Sequence, residues 1–589
     1  MIQIPDLKTK KLFQSNRSNL AGSLWASWNL DLSSNVGAIR LSPRLMVSSS
    51  TEFIATLTTA PCAFRRYNSL FWTISGTKVH VSGSDILAAS FTADATAGTP
   101  TNCDVTKSDL EVFNNELYVT TDTNVLYYYN GSVWASVSVG SADTTPKPMT
   151  RYGALLYVAT GLNKVYSIST GHAATLLLTL PNSQQITCIR AGSNKIWITT
   201  LDMSGDSGYV YEWDGASATT NKSYKLTTQG ALSCIIKDDV PWIVDTAGRL
   251  LAFNGGTFVE IARLPIFNTL LLKATSNVND RFIHPNGMSI IDGEVCMLIA
   301  NTNGESTGSI NDNLPSGVWA YNQNNGLYHR YSVSYHDDDD ASTLITDYGQ
   351  NKISVAGALQ EFKLYNNSAS DQGTFLAGVT YYTNATSTRS AVLINDRNNT
   401  VLKYGYFITS WIQAEALKDN WQKMFARFRY FLSSLDEKII LKYRQIEYPA
   451  NTSVRQDISI TWDNSTSVFK TQTNLSSSSF IGKEVEITQG QGAGKCAHIV
   501  SVSTPNSIDY YVTLDEVFTG VTTGTAKARV REWIKIGKED DLSSDVAIFA
   551  FPMNTSPSSK IQIKCCMQFY NDDELYDIII INKPHTLLS

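Results

Sequence analysis

The stretch "DLEVFNNELYVTTDTNVLYYYNGSVW" (Asp109 to Trp134) holds an apolar strand, an Asn-rich turn, a second strand, then Asn-Gly and a Trp. Leu117 and Val119 alternate with Tyr118 and Thr120, the period-two pattern of a pleated sheet. Much the same order returns in "MTRYGALLYVATGLNKVYSIST" from Met149 and in "CIRAGSNKIWITTLDMSGDSGYVYEWDG" from Cys188. It returns again in "CIIKDDVPWIVDTAGRLLAFNGGTF" from Cys234 and, with a longer loop, from Asn286. Aligning the residue in the middle of each second strand gives Tyr118, Tyr157, Trp197, Trp242 and Met297, at steps of 39, 40, 45 and 55 by subtraction. A unit of about 40 residues with several short strands is the period of a β-propeller blade. Asn130-Gly131, Asp214-Gly215 and Asn254-Gly255 supply the positive-φ residues that hairpin turns need.

Two weaker copies flank these five. Upstream, "CAFRRYNSLFWTISGTKVHVSGS" (Cys62 to Ser84) carries Phe71-Trp72 at the place of Leu117-Tyr118. Downstream, "STLITDYGQNKISVAGALQEFKLYN" (Ser342 to Asn366) places Ile353 there. The sequence thus predicts an all-β chain with a propeller of about seven blades over residues 51–372. An open sandwich of irregular hairpins is the competing arrangement. Residues 1–50 lack the repeat and form an extended N-terminal arm. Residues 373–475 and 533–589 are expected to make a C-terminal β-sandwich, with a small β-barrel inserted at 476–532. The composition of Trp411 to Phe431 leaves room for one helix.

Composition agrees with strands and turns. Charged residues are only 17% of the chain, against about 25% in an ordinary soluble protein, and 28 Tyr and 12 Trp suit pleated surfaces. Lys plus Arg total 47 against 53 Asp plus Glu, so no basic excess exists to neutralise a phosphate backbone. No specific nucleic-acid binding is expected. Eight scattered cysteines show no C-x-x-C spacing, and several sit in apolar runs, where a free thiol acts as a small core residue. Buried, reduced thiols point to assembly in a reducing cytoplasm. The N-terminus has no apolar run after its charges, and no segment approaches the roughly 20 apolar residues of a membrane span.

Few constellations carry chemistry. "GQGAGK" (Gly490 to Lys495) lacks the phosphate-loop spacing and joins two strands, so a glycine hairpin is expected. "HDDDD" (His336 to Asp340) offers carboxylates for Ca²⁺ but lacks the glycine and distal Glu of a calcium loop. "SGDSGYVY" (Ser204 to Tyr211) partly matches the Asp-box of sialidase propellers, yet it occurs once. The seven histidines show no metal spacing. Accordingly no catalytic, cofactor-binding or metal-ligating residue is predicted, no cofactor is expected, and the chain is read as a non-enzyme.

The order of arm, propeller with "LYV…NVLYYYNGSVW" blades, and C-terminal β domain resembles tail-associated structural proteins of double-stranded DNA phages. "YGYFITSWI", "KMFARFRYFL" and "SSKIQIKCCMQFY" are similar to the stretches that follow propellers there, and nozzle proteins of short-tailed phages share the architecture. The resemblance implies a structural virion protein of the tail, assembled in the host cytoplasm. Its partners would be copies of itself and other tail subunits, met through the arm and the C-terminal domains. The alternative is a propeller of the host-attachment apparatus that binds a surface glycan or receptor through its Tyr- and Trp-rich loops.

Overall fold

The computed structural model describes residues 57–83, 91–140, 145–204, 207–264, 282–300, 316–323, 326–331, 353–362, 374–382 and 388–395 in the middle of the chain. Before them it describes 2–3, 24–28, 30–31, 39–42 and 45–47, and after them strands and adjoining turns between 403 and 584. Among these residues there is no α-helix.

Seven antiparallel sheets of four strands follow one another along the middle of the chain. Their first strands are Phe64–Tyr67, Leu110–Phe113, Met149–Tyr152, Gln184–Ala191, Ala231–Lys237, Met288–Ile291 and Ile353–Phe362. These lie against one another in order, and the seventh returns against the first. The middle of the chain is a seven-bladed β-propeller. Trp72, Tyr118, Tyr157, Trp197, Trp242 and Met297 all fall on the second strands of blades 1 to 6, and five of the six are buried. The large side chains from one blade fill the wedge against the next, which is why the repeat is spelled in aromatics.

The turns follow the same logic. Gly131, Gly215 and Gly255 have φ of 97°, 81° and 97°. The preceding Asn130, Asp214 and Asn254 each accept two backbone N–H bonds through one side-chain oxygen, closing the hairpin between third and fourth strands.

The seventh blade departs from expectation. Ile353 opens its first strand, whereas the repeat placed it mid-way through a second strand. The second and third strands are Thr374–Tyr382 and Thr388–Asn395, beyond the expected propeller boundary at residue 372. The fourth is Leu45–Val47 from the arm, with Leu393 opposite Val47 and Asn395 opposite Leu45. The N-terminal segment therefore closes the ring, and the sheet that would otherwise present a bare edge gains a partner from the other end of the sequence. At the seam between blades 7 and 1, Ala358 donates its N–H to the Pro61 carbonyl at 2.8 Å, and a Cβ on Gly357 or Gly378 would collide with that same oxygen.

Other described segments of the arm also pair within the chain. Ile2–Gln3 pairs with Leu575–Pro584, Leu24–Trp28 with Lys403–Thr409, and Leu30–Asp31 with Arg40–Leu41. Leu30, Ile39 and Leu41 sit in one core with Tyr328 and Tyr331 of blade 6, Phe375 of blade 7, and Leu441 and Ile563 of the C-terminal sheet. This shared core ties propeller and C-terminal region together.

Two sheets stand where the sandwich was expected. One is ordered Leu24–Trp28, Lys403–Thr409, Lys560–Phe569, Lys438–Gln445 and Thr525–Glu539; the other is Ile2–Gln3, Leu575–Pro584, Asp419–Phe428 and Val546–Ala550. The latitude for a helix near Trp411–Phe431 is not used: Asp419–Phe428 is a strand held between two neighbours. The barrel closes with six strands and starts earlier than residue 476, at Arg455–Trp462. Thr525–Glu539 serves both units: Val530 pairs in the barrel with Val485, and Gly537 pairs in the sheet with Leu441. A strand shared this way cannot be cut at residue 532.

Candidate functional site

In a propeller the first strands surround an axis. Here the axis is crossed by the chain itself. The segment from Phe282 to Gly287, just before blade 6, has Phe282 and Ile283 buried among Leu232, Val244 and Met297. Its polar atoms then reach around the ring. His284 accepts the Asn286 N–H at Nδ1 (3.0 Å), so its Nε2 carries the proton and donates to the Val105 carbonyl at 3.1 Å. The Asn286 side chain donates at 3.0 Å to both the Cys62 carbonyl of blade 1 and Asp109 Oδ1 beside blade 2. It accepts from Arg190 Nη2 of blade 4 at 2.7 Å. Its backbone carbonyl accepts from Leu359 N–H of blade 7 at 2.9 Å. The Pro285 carbonyl takes Ser233 Oγ–H of blade 5 at 2.8 Å.

One amide thus joins a carboxylate to a guanidinium, with its donor end on Asp109 and its acceptor end on Arg190. Asp109 is 2% exposed and also accepts Met149 N–H at 3.0 Å and Leu110 N–H at 2.9 Å. Arg190 donates further to the Cys234 and Ile189 carbonyls. The chain must turn sharply here: Gly287 N–H donates to the His284 carbonyl at 2.8 Å, and a Cβ on Gly287 would lie 2.9 Å from that oxygen. The sequence reading missed this plug. "HPNG" carries an ordinary turn signal, and its partners lie up to 224 residues away.

A second feature lies on the face formed by the hairpins between first and second strands. An open groove of about 730 Å³ runs over blades 2, 3 and 4. Buried Phe113 and half-buried Ala191 line it, the latter donating its N–H to Thr150 Oγ1 at 3.2 Å. Arg151, half-buried Tyr152, Asn114 and Ser193 line its sides. Arg151 is exposed, and no acidic side chain among the described residues pairs with it. Beside the groove, Tyr118 Oη donates to Glu116 Oε2 at 2.8 Å and meets His172 Nδ1 at 3.1 Å, while the His172 ring stacks on Tyr128 at 3.8 Å. Burial, with Glu116 adding to it, pushes the Tyr118 phenol well above its ordinary range.

The sequence candidates fare as follows. The strands flanking Gly490 to Lys495, Lys483–Gly490 and Cys496–Ser503, pair antiparallel, which is the hairpin expected; residues 491–495 lie outside the described residues. His336 to Asp340 also lie outside them, as do Gly205 and Asp206 of "SGDSGYVY". Tyr211 of that stretch is buried in blade 4. No group of three or more His, Cys, Asp or Glu converges among the described residues. Cys62, Cys103, Cys188, Cys234, Cys296 and Cys565 are buried and form no disulfide. Burial raises the thiols of Cys62, Cys188, Cys234 and Cys296 and pushes Cys103 up to about 12. Such thiols are inert packing.

One buried histidine makes the propeller acid-sensitive. His329, fully buried in blade 6, donates Nε2–H to the Ser316 carbonyl at 2.9 Å, and burial lowers its pKa to about 4. Its unfolded value is about 6.5. Folding therefore excludes a proton between those values, and stability falls as pH drops from about 6.5 to about 4, by roughly 3 kcal/mol in all. In His329→Gln, which keeps a donor for Ser316, the urea midpoint is expected to lose most of this slope between pH 7 and pH 4.5. An unchanged slope would contradict the assignment.

No family model matches the chain, and no curated protein matches it. Solved structures do show a likeness. A virginiamycin B lyase from Staphylococcus aureus is 12% identical with a TM-score of 0.36, over 59% of this chain and 97% of that one. The extracellular domain of a putative hybrid two component system from B. thetaiotaomicron is also 12% identical, TM-score 0.36, over 80% and 51%. The Pan2 WD40 domain of Neurospora crassa is 10% identical, TM-score 0.35, over 58% and 90%. The blade count rests on the strand pairing described above, and no activity transfers at such identities.

Proposed function

We propose that the chain is a non-enzymatic structural subunit of a phage tail, built into an oligomeric assembly with copies of itself. One observation carries the reading. The axis, where a propeller has room for a ligand or a reaction centre, is filled by His284 to Asn286, and the charged groups there, Asp109 and Arg190, are engaged by Asn286. A ring closed by its own N-terminal strand and plugged by its own loop suits a load-bearing disc. Any lumen would run between subunits, outside the propeller axis.

The arm segments already paired in the chain leave the C-terminal β units to meet neighbours. Of the eight large apolar side chains exposed among the described residues, four belong to the barrel: Ile481, Val500, Ile508 and Val517, at 44 to 64%. Large apolar groups left in water so close together in sequence suit a contact with a second copy. Electron microscopy of the purified full chain should therefore show closed rings, dispersed by Val500→Glu with Val517→Glu while the propeller stays folded. Monomers at every concentration, or rings indifferent to those substitutions, would overturn this assignment of the contact.

A further inference from the structure

We propose that the groove over blades 2 to 4 is a binding site for an acidic sugar, with Arg151 holding the carboxylate. The site is independent of the tail assignment, since a ring subunit and a monomer would present it equally. Three properties of the groove select the ligand.

The first is charge. Acidic groups beside the groove have partners other than Arg151: Glu111 pairs with Arg65 at 2.9 Å, Glu116 holds Tyr118, and Asp239 Oδ1 accepts the Ser193 N–H at 2.6 Å. Arg151 remains, a guanidinium whose planar fork matches a carboxylate with two parallel bonds. A single cation on a chain of net charge −6 suits one carboxylate and does not suit a polyphosphate.

The second is the surface beside that cation. Tyr152 is half-buried, its ring held 6.4 Å from Tyr157. A fixed aromatic face with a polar rim is the surface on which the C–H face of a pyranose stacks. Asn114, Thr170 and Ser193 supply amide and hydroxyl groups around it, each exposed. These match ring hydroxyls better than apolar peptide side chains.

The third is rigidity. Asn114 and Asn115 have φ of 50° and 58°, and Gly153 has φ of 60°, so the hairpin tips are tight left-handed turns. Residue 192 is confined as well: a Cβ on Gly192 would lie 2.7 Å from Asp239 Oδ1. A preformed rim lowers the ordering cost of binding.

The test is calorimetry on the full chain with a trigalacturonate, the same trisaccharide with its carboxyls reduced to hydroxymethyl groups, and an acidic tripeptide. The trigalacturonate should bind. Carboxyl reduction and Arg151→Ala should each weaken it about tenfold or more, the size of a lost charge-assisted pair. Arg263→Ala, on the outer strand of blade 5, should leave it unchanged. Arg151→Ala should melt with the parent protein, because its guanidinium has no acidic partner to lose. No binding at about 10 mM ligand, equal binding of the reduced sugar, indifference to Arg151→Ala, or tighter binding of the peptide would each overturn the proposal. Ring formation, read separately, would be untouched by any of these failures.

Discussion

Asp109→Ala is expected to destabilise the propeller more than any surface substitution, by about 3 to 5 kcal/mol. The carboxylate is nearly inaccessible and serves three donors: Leu110 N–H, Met149 N–H and the Asn286 amide. Removing it strands all three, and each buried unpaired donor costs roughly 1 to 3 kcal/mol. It also frees Asn286 to turn away from Arg190, so the segment across the axis loses its fixed point. Asp109→Asn keeps one acceptor oxygen and should cost less, about half as much. Urea unfolding followed by hydrogen exchange of peptides from blades 1 to 4 would read both. If Asp109→Ala shifts stability by less than about 1 kcal/mol, the network is ornamental.

The second large effect lies where the barrel meets the sheet. Lys442 Nζ donates to Glu484 Oε2, and the two side chains are 4% and 0% exposed. Next to them His498, across the strand from Glu484, has its pKa lowered by burial, and Asp515 takes Lys535 Nζ at 2.6 Å. Lys442→Met takes an ammonium away from a carboxylate that water cannot reach. The cost should be about 3 to 5 kcal/mol. Lys442→Met combined with Glu484→Leu should recover most of that loss, because deleting both charges also deletes their desolvation. Denaturant midpoints for the two singles and the double form a cycle that isolates the pair. A double variant as unstable as Lys442→Met alone would contradict a simple ion pair.

What the sequence disclosed and what it hid divide along a physical line. Blades 2 to 6 were legible because each second strand needs one large side chain for the wedge, and Tyr118, Tyr157, Trp197, Trp242 and Met297 recur at that place. Blade 7 was half legible. Its first strand carries two register shifts between Ile353 and Leu359, and its last strand comes from residues 45–47, so no local window contains the unit. The barrel's limits blurred because Thr525–Glu539 alternates without a break through two different sheets. The plug was invisible for a related reason. His284 and Asn286 find partners 179 and 224 residues away, and residue spacing carries no trace of such bonds. The groove had no motif either, since its residues come from four hairpins on three blades and only the ring brings them together.

The most direct test of this account is a cryo-EM map of the purified full-length chain. It should show His284 to Asn286 on the axis, with Asn286 between Asp109 and Arg190, and Leu45–Val47 completing the seventh sheet. An open axial channel, or the hairpins of residues 110–299 laid out as a flat sandwich, would contradict the reading of this protein as a closed, self-filled scaffold.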